Sequence, residues 1–161
     1  MNQHVIIRCA KPEESELLSD IAFRSKAYWG YSAEFMDACR GELTYSPETL
    51  KKHPFFLATE ANAGGEIPLG FYGLVRVSET TIELEALFLD PKHIGRGIGR
   101  LLYEHALSEA KKSGVQRLTI QGDPNAKDFY LKVGAKLIDE KESGSIPGRF
   151  LPLFSVNLAA H

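Results

Sequence analysis

The chain has little cysteine, no long apolar run and no strong excess of either charge. Its 161 residues contain two cysteines, Cys9 and Cys39, which are too far apart for the Cys-x-x-Cys pair of a redox or zinc site. A catalytic role for Cys39 would require an activating histidine and acid nearby, which the local sequence does not indicate. We therefore expect two reduced, structural thiols and no metal site.

The balance of charges argues against a strongly basic or acidic binding surface. Lys and Arg total 19, Asp and Glu total 21, and the formal net charge is -2. The basic residues are dispersed along the chain, so they provide no electrostatic footprint for nucleic acid or for an anionic membrane. This pattern favours a small molecule or a protein side chain as the partner.

The hydropathy pattern argues against membrane insertion and secretion. The longest apolar runs are far shorter than the roughly 20 residues that span a bilayer, and the N-terminus lacks the basic start and apolar core of a signal peptide. We expect a cytoplasmic protein with one domain over residues 1–161.

Hydrophobic periodicity predicts a mixed α+β sheet. The predicted strands cover residues 5–8, 55–59, 69–77, 81–89, 115–121, 136–139 and 150–158. Predicted helices begin at Pro12, near Ala33, at Ile98 and after Pro124, with a short helical turn at 47–52 and a Gly-rich turn over 62–68. An antiparallel meander followed by one crossover helix differs from the repeated βαβ units of a doubly wound sheet. If the last strand is exposed, it could pair or pack with a second copy in a homodimer, but the sequence gives no decisive sign of one.

The most informative segment joins the predicted strand 81–89 to the helix that opens at Ile98. It consists of Ile94, Gly95, Arg96, Gly97, Ile98, Gly99 and Arg100. The alternating glycines let the backbone turn sharply, so successive N–H groups can converge on an anion at the helix N-terminus, and the two arginines add positive charge. The spacing is neither Gly-x-Gly-x-x-Gly nor that of a P-loop. The segment therefore predicts a phosphate ligand of another class.

This loop resembles motif A of the GCN5-related N-acetyltransferase (GNAT) family. The family pattern Gln/Arg-x-x-Gly-x-Gly/Ala falls on Ile94, Gly97 and Gly99, and Ile94 departs from it at a position that chiefly supplies a backbone N–H. The resemblance implies that the loop binds the pyrophosphate of acetyl-CoA. It also implies a mostly antiparallel, twisted sheet of six to seven strands with about four helices, in which the fourth and fifth strands splay apart around the co-substrate.

The implied activity is direct transfer of acetyl from acetyl-CoA to a primary amine of a small molecule or peptide, within a ternary complex. Residues 123–130 resemble motif B of the family, where Asn125 would contact the pantetheine arm and Tyr130 would protonate the departing thiolate. In the preceding strand, Leu87, Phe88 and Leu89 would pair with pantetheine amides, and an N–H there would polarise the acetyl carbonyl. Alternatively, Asn125 is only a helix cap and Tyr130 only core packing.

Glu83 and Glu85 are the candidates for a general base. They alternate on a strand that is otherwise apolar, and the alternation predicts that they point the same way as Leu87 and Leu89. A carboxylate in an apolar setting can have a raised pKa and accept a proton from the amine. Either residue can instead be an ordinary solvated side chain at the strand edge.

The sequence says least about the pocket that binds the acceptor amine. By resemblance it is formed by the first two helices and the loop before the last strand, about residues 24–35 and 142–150. The candidates there are Tyr28, Trp29, Tyr31 and Arg149, although such an aromatic cluster can also be packing between helices. The alternative function is a catalytically silent acyl-CoA-binding or interaction module.

Overall fold

The computed structural model describes residues 4–158 and contains a seven-stranded sheet with helices on both faces. The strands are β1 (Val5–Cys9), β2 (Phe55–Asn62), β3 (Gly65–Arg76), β4 (Thr81–Leu89), β5 (Arg117–Gln121), β6 (Lys136–Glu142) and β7 (Phe150–Asn157). The α-helices are α1 (Ser15–Ala27), α2 (Ala33–Cys39), α3 (Pro47–Lys52), α4 (Ile98–Lys112) and α5 (Lys127–Lys132). Single 3-10 turns lie at Pro12–Glu14, Pro91–His93 and Pro124–Ala126. The α+β class is confirmed.

Serine caps set where the two shortest helices of the N-terminal half begin. The Ser32 hydroxyl accepts the backbone N–H of Phe35 at 3.1 Å before α2, and the Ser46 hydroxyl accepts that of Thr49 at 3.2 Å before α3. Each cap satisfies a first-turn N–H that has no partner within its helix. Both helices therefore begin where the sequence predicts.

The strand order is β1-β2-β3-β4-β5-β7-β6, and every neighbouring pair is antiparallel except β4 and β5. The last strand, β7, lies between β5 and β6. It is therefore not an exposed strand available to a second copy, because both of its edges are already hydrogen-bonded. The edge on this side of the sheet is β6.

The parallel pair β4–β5 is short. Only Thr81–Glu83 of β4 pair with Arg117–Thr119 of β5, whereas β4 stays paired with β3 on its other side as far as Leu89. From residue 84 onward, the β5-facing edge of β4 borders a gap in the sheet. This opening confirms the predicted splaying of the fourth and fifth strands.

A β-bulge at Glu85 changes which side chains of β4 face which helices. Gly73 and Leu74 of β3 oppose Ala86 and Leu84, so Glu85 is the extra, unpaired residue. A bulge of this kind reverses the alternation of side chains. Leu84 and Leu87 both pack in the core beneath α4, whereas Glu85 lines a pocket on the opposite face. The expectation that the glutamates point the same way as Leu87 and Leu89 is therefore wrong.

Two apolar cores lie on opposite faces of the sheet. One is formed with α4 and α5 and includes Leu102, Tyr103 and Tyr130; the other is formed with α1 and α2 and includes Leu18 and Phe71. Because both faces are covered, the central strands β2, β3 and β4 are buried or half-buried along most of their length. The gap between β4 and β5 therefore lies within a sheet that is packed on both faces.

The extents of several elements and the number of helices differ from the sequence prediction. The turn expected over 62–68 is confined to residues 63 and 64, because β2 continues to Asn62 and pairs there with Gly65 of β3. Within residues 4–158 there are five α-helices instead of about four. None of the described helices is long and apolar enough to cross a bilayer.

Candidate active site

The site is built where β4 ends, at the turn that leads into α4. Gly95 and Gly97 have φ angles of +89° and +77°, in the left-handed region that side chains with a Cβ rarely adopt. Gly97 is the residue that caps α4. The two glycines therefore permit the reversal that aims the start of α4 at the gap.

The first turn of α4 presents backbone donors. The first bond of the helix runs from the Leu101 N–H to the Gly97 carbonyl at 3.1 Å, so the N–H groups of residues 98–100 have no partner within the helix. The positive end of the helix dipole adds to these donors. A diphosphate is a suitable ligand for such a terminus.

The two arginines of the loop are already paired with carboxylates. Arg96 makes a two-point contact with Glu60 of β2, at 2.6 and 3.3 Å, and a 3.2 Å contact with Nδ1 of His93. Arg100 pairs with Glu104 one turn further along α4 at 3.1 Å. In this arrangement Arg96 holds the loop against the sheet, whereas the exposed Arg100 uses only its Nε–H in the pair with Glu104.

Close packing brings together the start of α4, which follows the motif A loop, and α5, which carries motif B. A Cβ on Gly99 would lie 3.4 Å from the ring of Phe129, and a Cβ on Gly122 would lie 3.1 Å from the ring of Tyr130. Gly122 directly follows β5, so Tyr130 lies beside the gap. Its ring is buried among aromatic neighbours, Phe129 and Phe154, at centroid distances of 5.2 and 5.3 Å.

Asp123 is the centre of a polar network that joins three segments of the chain. Its carboxylate accepts hydrogen bonds from Lys26 of α1 at 3.0 Å, from the Tyr31 hydroxyl at 3.0 Å and from the Asn125 backbone N–H at 2.8 Å. The Asn125 amide also donates to Asp123, at 3.0 Å, and to Tyr31, at 2.8 Å. Arg149, from the loop before β7, donates to Tyr31 at 2.7 Å and lies 3.5 Å from Asp123.

The network is largely shielded from water, and its pKa values reflect this. Burial by itself would raise the pKa of Asp123, but the Asn125 N–H and the Lys26 ammonium outweigh it and hold the pKa below its ordinary value. Burial, together with the Asp123 charge, raises the pKa of Tyr31 to about 12. At neutral pH the network therefore contains a carboxylate and a protonated phenol.

The structure brings together two of the four predicted acceptor-side residues. Arg149 stacks on the rings of Tyr31 and Phe35, with its guanidinium carbon 5.3 and 4.8 Å from their centroids. Tyr28 and Trp29 instead contact each other and are 57% and 48% exposed. Of the three predicted aromatic residues, Tyr31 is thus packed against Arg149, whereas Tyr28 and Trp29 are exposed.

Glu85 has the most strongly perturbed carboxyl of the site. Its side chain opens to solvent, but the surrounding protein desolvates the carboxyl, and Glu83 and Glu42 repel its charge, so the pKa rises to about 7. The bulge places this carboxyl on the α2–α3 side of the sheet, close to where β4 separates from β5. A group with this pKa can exchange protons at neutral pH.

Sequence reasoning missed the polar partners of the predicted residues. The Asp-Pro-Asn turn at 123–125 contained a usable signal for Asp123, since Asp is a common cap of such a turn. Lys26 and Glu60 carried no signal, because ordinary exposed helix and strand residues look the same in sequence. Among residues 4–158, His, Cys, Asp and Glu form no group of three that could hold a metal ion.

Known proteins are similar to this chain in sequence and in fold. A sequence model of the acetyltransferase (GNAT) family matches residues 18–135, which is well over half of the chain. The chain belongs to the GNAT family. Its membership confirms the resemblance carried by motifs A and B and makes the chain an acetyl-CoA-dependent N-acetyltransferase.

Two curated GNAT relatives are similar over nearly their whole length. Peptidyl-lysine N-acetyltransferase YjaB of Escherichia coli strain K12 is 37% identical over 155 residues, covering 94% of this chain and 95% of that protein. YjaB of Salmonella typhimurium strain LT2 is 32% identical over 152 residues, covering 93% and 95%. The N-acetyltransferase PaiA of Thermoplasma acidophilum, solved in complex with coenzyme A, superposes with a TM-score of 0.74 at 25% identity, covering 95% of this chain and 98% of PaiA.

Replacing Asp123 with asparagine tests the network. We expect Asp123→Asn to lower the free energy of unfolding by about 2 kcal/mol at pH 7, since charged hydrogen bonds among shielded groups are lost. The folded-state pKa of Asp123 is lowered, so its contribution is present above the unfolded pKa of about 4 and is lost as the pH falls through the folded pKa. The difference between wild type and variant should therefore shrink in acid, as measured by urea unfolding at several pH values.

The matched control is Asp128→Asn, which removes an exposed carboxylate from the neighbouring helix α5. We expect it to change stability by less than about 0.5 kcal/mol. Equal effects of the two substitutions would contradict a central role for Asp123.

Proposed function

We propose that this GNAT enzyme acetylates lysine side chains of peptides or proteins, by direct transfer from acetyl-CoA within a ternary complex. The observation that carries the proposal is the similarity to two peptidyl-lysine N-acetyltransferases along more than 90% of the chain. The arrangement of the gap, the open amides of α4 and the titratable carboxyl of Glu85 supports it.

The residues around the gap fit acetyl-CoA. The unpaired N–H groups at the start of α4 are suited to the diphosphate, and the free edge of β4 over Leu87–Leu89 is suited to the amides of the pantetheine arm. The bound co-substrate supplies the activated acetyl group. Asn125, already oriented by Asp123 and Tyr31, would form part of the wall on the β5 side.

Tyr130 would act as the general acid. Burial raises the pKa of its phenol well above the ordinary value of about 10, so the hydroxyl stays protonated at neutral pH and is available to the departing sulfur. Its place beside Gly122, at the end of β5, puts the ring at the gap. General acid catalysis of this kind contributes about 10²- to 10⁴-fold to a rate.

Glu85 would act as the general base. It accepts a proton from the lysine ammonium, and the neutral nitrogen then forms the C–N bond as the C–S bond breaks and Tyr130 donates its proton to sulfur. The lysine nitrogen loses two protons overall. Glu85 passes the first to solvent, and the second, released when the C–N bond has formed, reprotonates the Tyr130 phenolate through solvent. Glu83, on the same face of β4, contributes chiefly by raising the pKa of Glu85.

An acetyl-transfer assay tests the proposed function. We expect the enzyme to release coenzyme A when given acetyl-CoA and a lysine-containing peptide with blocked termini, and mass spectrometry to find one acetyl group on the lysine. Free amino acids and polyamines serve as competing acceptors. Tight binding of coenzyme A without turnover on any amine would instead support a silent acyl-CoA-binding module.

Tyr130→Phe tests the general acid. We expect kcat to fall by about 100-fold while the calorimetric affinity for coenzyme A stays nearly unchanged, because only the hydroxyl is removed. The matched control is Tyr103→Phe, since the buried Tyr103 hydroxyl has no hydrogen-bond partner among the described residues. If Tyr130→Phe turns over like the wild type, the phenol is not the acid.

The pH dependence of kcat/KM tests the general base. Because Glu85 must be deprotonated to accept a proton and its pKa is about 7, we expect kcat/KM to rise with pH up to about 7 and then level off. Glu85→Gln should lower kcat/KM and abolish this acidic limb, whereas Glu79→Gln, in the exposed turn before β4, should keep it. An unchanged limb in Glu85→Gln would assign the titration to another group.

A further inference from the structure

A pocket of about 520 Å³ lies on the sheet face that carries α2 and α3. The residues that line it include three glutamates, Glu42, Glu48 and Glu85, and Tyr45. We call it the acidic pocket. The volume is within the range of sites for small ligands, and Glu85 places one wall at the bulge of β4, close to the gap.

Tyr45 gives the acidic pocket a polar group that folding leaves without a partner. The residue is 8% exposed, and its ring packs against Phe55 and Phe71 at centroid distances of 5.4 and 5.5 Å. Its backbone is hydrogen-bonded to Ser19, but its hydroxyl makes no hydrogen bond to any residue between 4 and 158. The ring is buried, but the hydroxyl is not one of the fully enclosed polar atoms that lack a partner, so it reaches solvent and is open to a ligand.

The charges around the pocket favour a cation. The residues that line it include three glutamates but only one lysine, Lys52, and one histidine, His53. The Glu42 carboxylate is held in place by the Ser145 hydroxyl at 3.1 Å, from the loop that links β6 to β7. Burial and the charges of Glu85 and Glu42 also raise the pKa of Tyr45, so the phenol stays neutral and can accept a hydrogen bond from an ammonium group.

From this geometry we propose that the acidic pocket binds the alkylammonium group of the acceptor lysine, with Tyr45 and Glu42 as specificity-determining residues. The proposal rests on the proposed lysine acetyltransferase function and assigns its acceptor site. It moves that site away from Tyr31 and Arg149, whose polar groups are already satisfied by Asp123 and by each other. Glu85 then lies where a bound ammonium can transfer its proton.

Calorimetry and kinetics together test the proposal. The probe is a nine-residue peptide with one central lysine and blocked termini, titrated into enzyme saturated with coenzyme A. We expect Tyr45→Phe and Glu42→Gln each to raise the peptide Kd and KM by about tenfold, as expected for loss of a hydrogen bond to a charged group. The affinity for coenzyme A should not change. Glu42→Gln keeps an acceptor for Ser145, and Tyr45→Phe keeps the buried ring, so both variants should fold.

Two controls separate recognition from bulk charge. Glu79→Gln removes the same charge outside the pocket and should bind the peptide like the wild type. A peptide with norleucine in place of lysine should not bind. Peptide affinity equal to wild type in both Tyr45→Phe and Glu42→Gln would overturn the proposal.

Failure of the proposed lysine acetyltransferase function would give a different result from failure of the acidic-pocket assignment. If the wild-type enzyme neither binds nor acetylates the lysine peptide, the lysine acceptor is wrong. The pocket is then tested with n-butylammonium alone. Binding that is weakened by Tyr45→Phe would keep the assignment of an alkylammonium site, whereas the absence of binding would overturn it.

Discussion

The early separation of β4 from β5 is the constraint on which the rest of the site depends. Parallel pairing stops after three residues of each strand, although β4 continues for six more residues with β3 as its only partner. A strand edge left unpaired inside a sheet exposes backbone donors and acceptors that need partners. The bulge at Glu85 lies near the start of this free edge, and the glycine turn before α4 follows its end. The proposed base, the proposed edge for the pantetheine arm and the proposed diphosphate site therefore follow one another along the chain.

The network around Asp123 stabilises the opposite side of the gap, which is formed by β5. It ties α1, the segment before α2 and the loop before β7 to the turn that follows β5. Since β5 is held by β7 along its whole length, these contacts fix the β5 side of the gap while β4 is fixed by β3. The side chains of Tyr31 and Arg149 are thus used to hold these segments together. The acidic pocket on the α2–α3 face contains the Tyr45 hydroxyl, which has no hydrogen-bond partner among residues 4–158.

The local elements were largely predictable, and the differences have specific physical causes. Periodicity and caps located β4 and the starts of α2, α3 and α4, because these depend on residues that are close in sequence. The orientation of Glu85 was not predictable, since a bulge is set by the register between two strands. The position of β7 inside the sheet was missed for the same reason: strand order depends on pairing between distant segments, and the residues of β7 alternate in the same way at an edge or in the interior.

The sequence by itself determined the α+β class, the glycine turn into α4 and the two motifs that mark a GNAT acetyltransferase, because each rests on short-range conformational preference or on a run of neighbouring residues. Only the tertiary structure decided that Arg96 is paired with Glu60, that Tyr31 and Arg149 are bound to Asp123, and that Tyr45, Glu42 and Glu85 share a pocket. Those outcomes depend on contacts between residues that are tens of positions apart, and a side chain's availability to a ligand is known only when its partners within the fold are known.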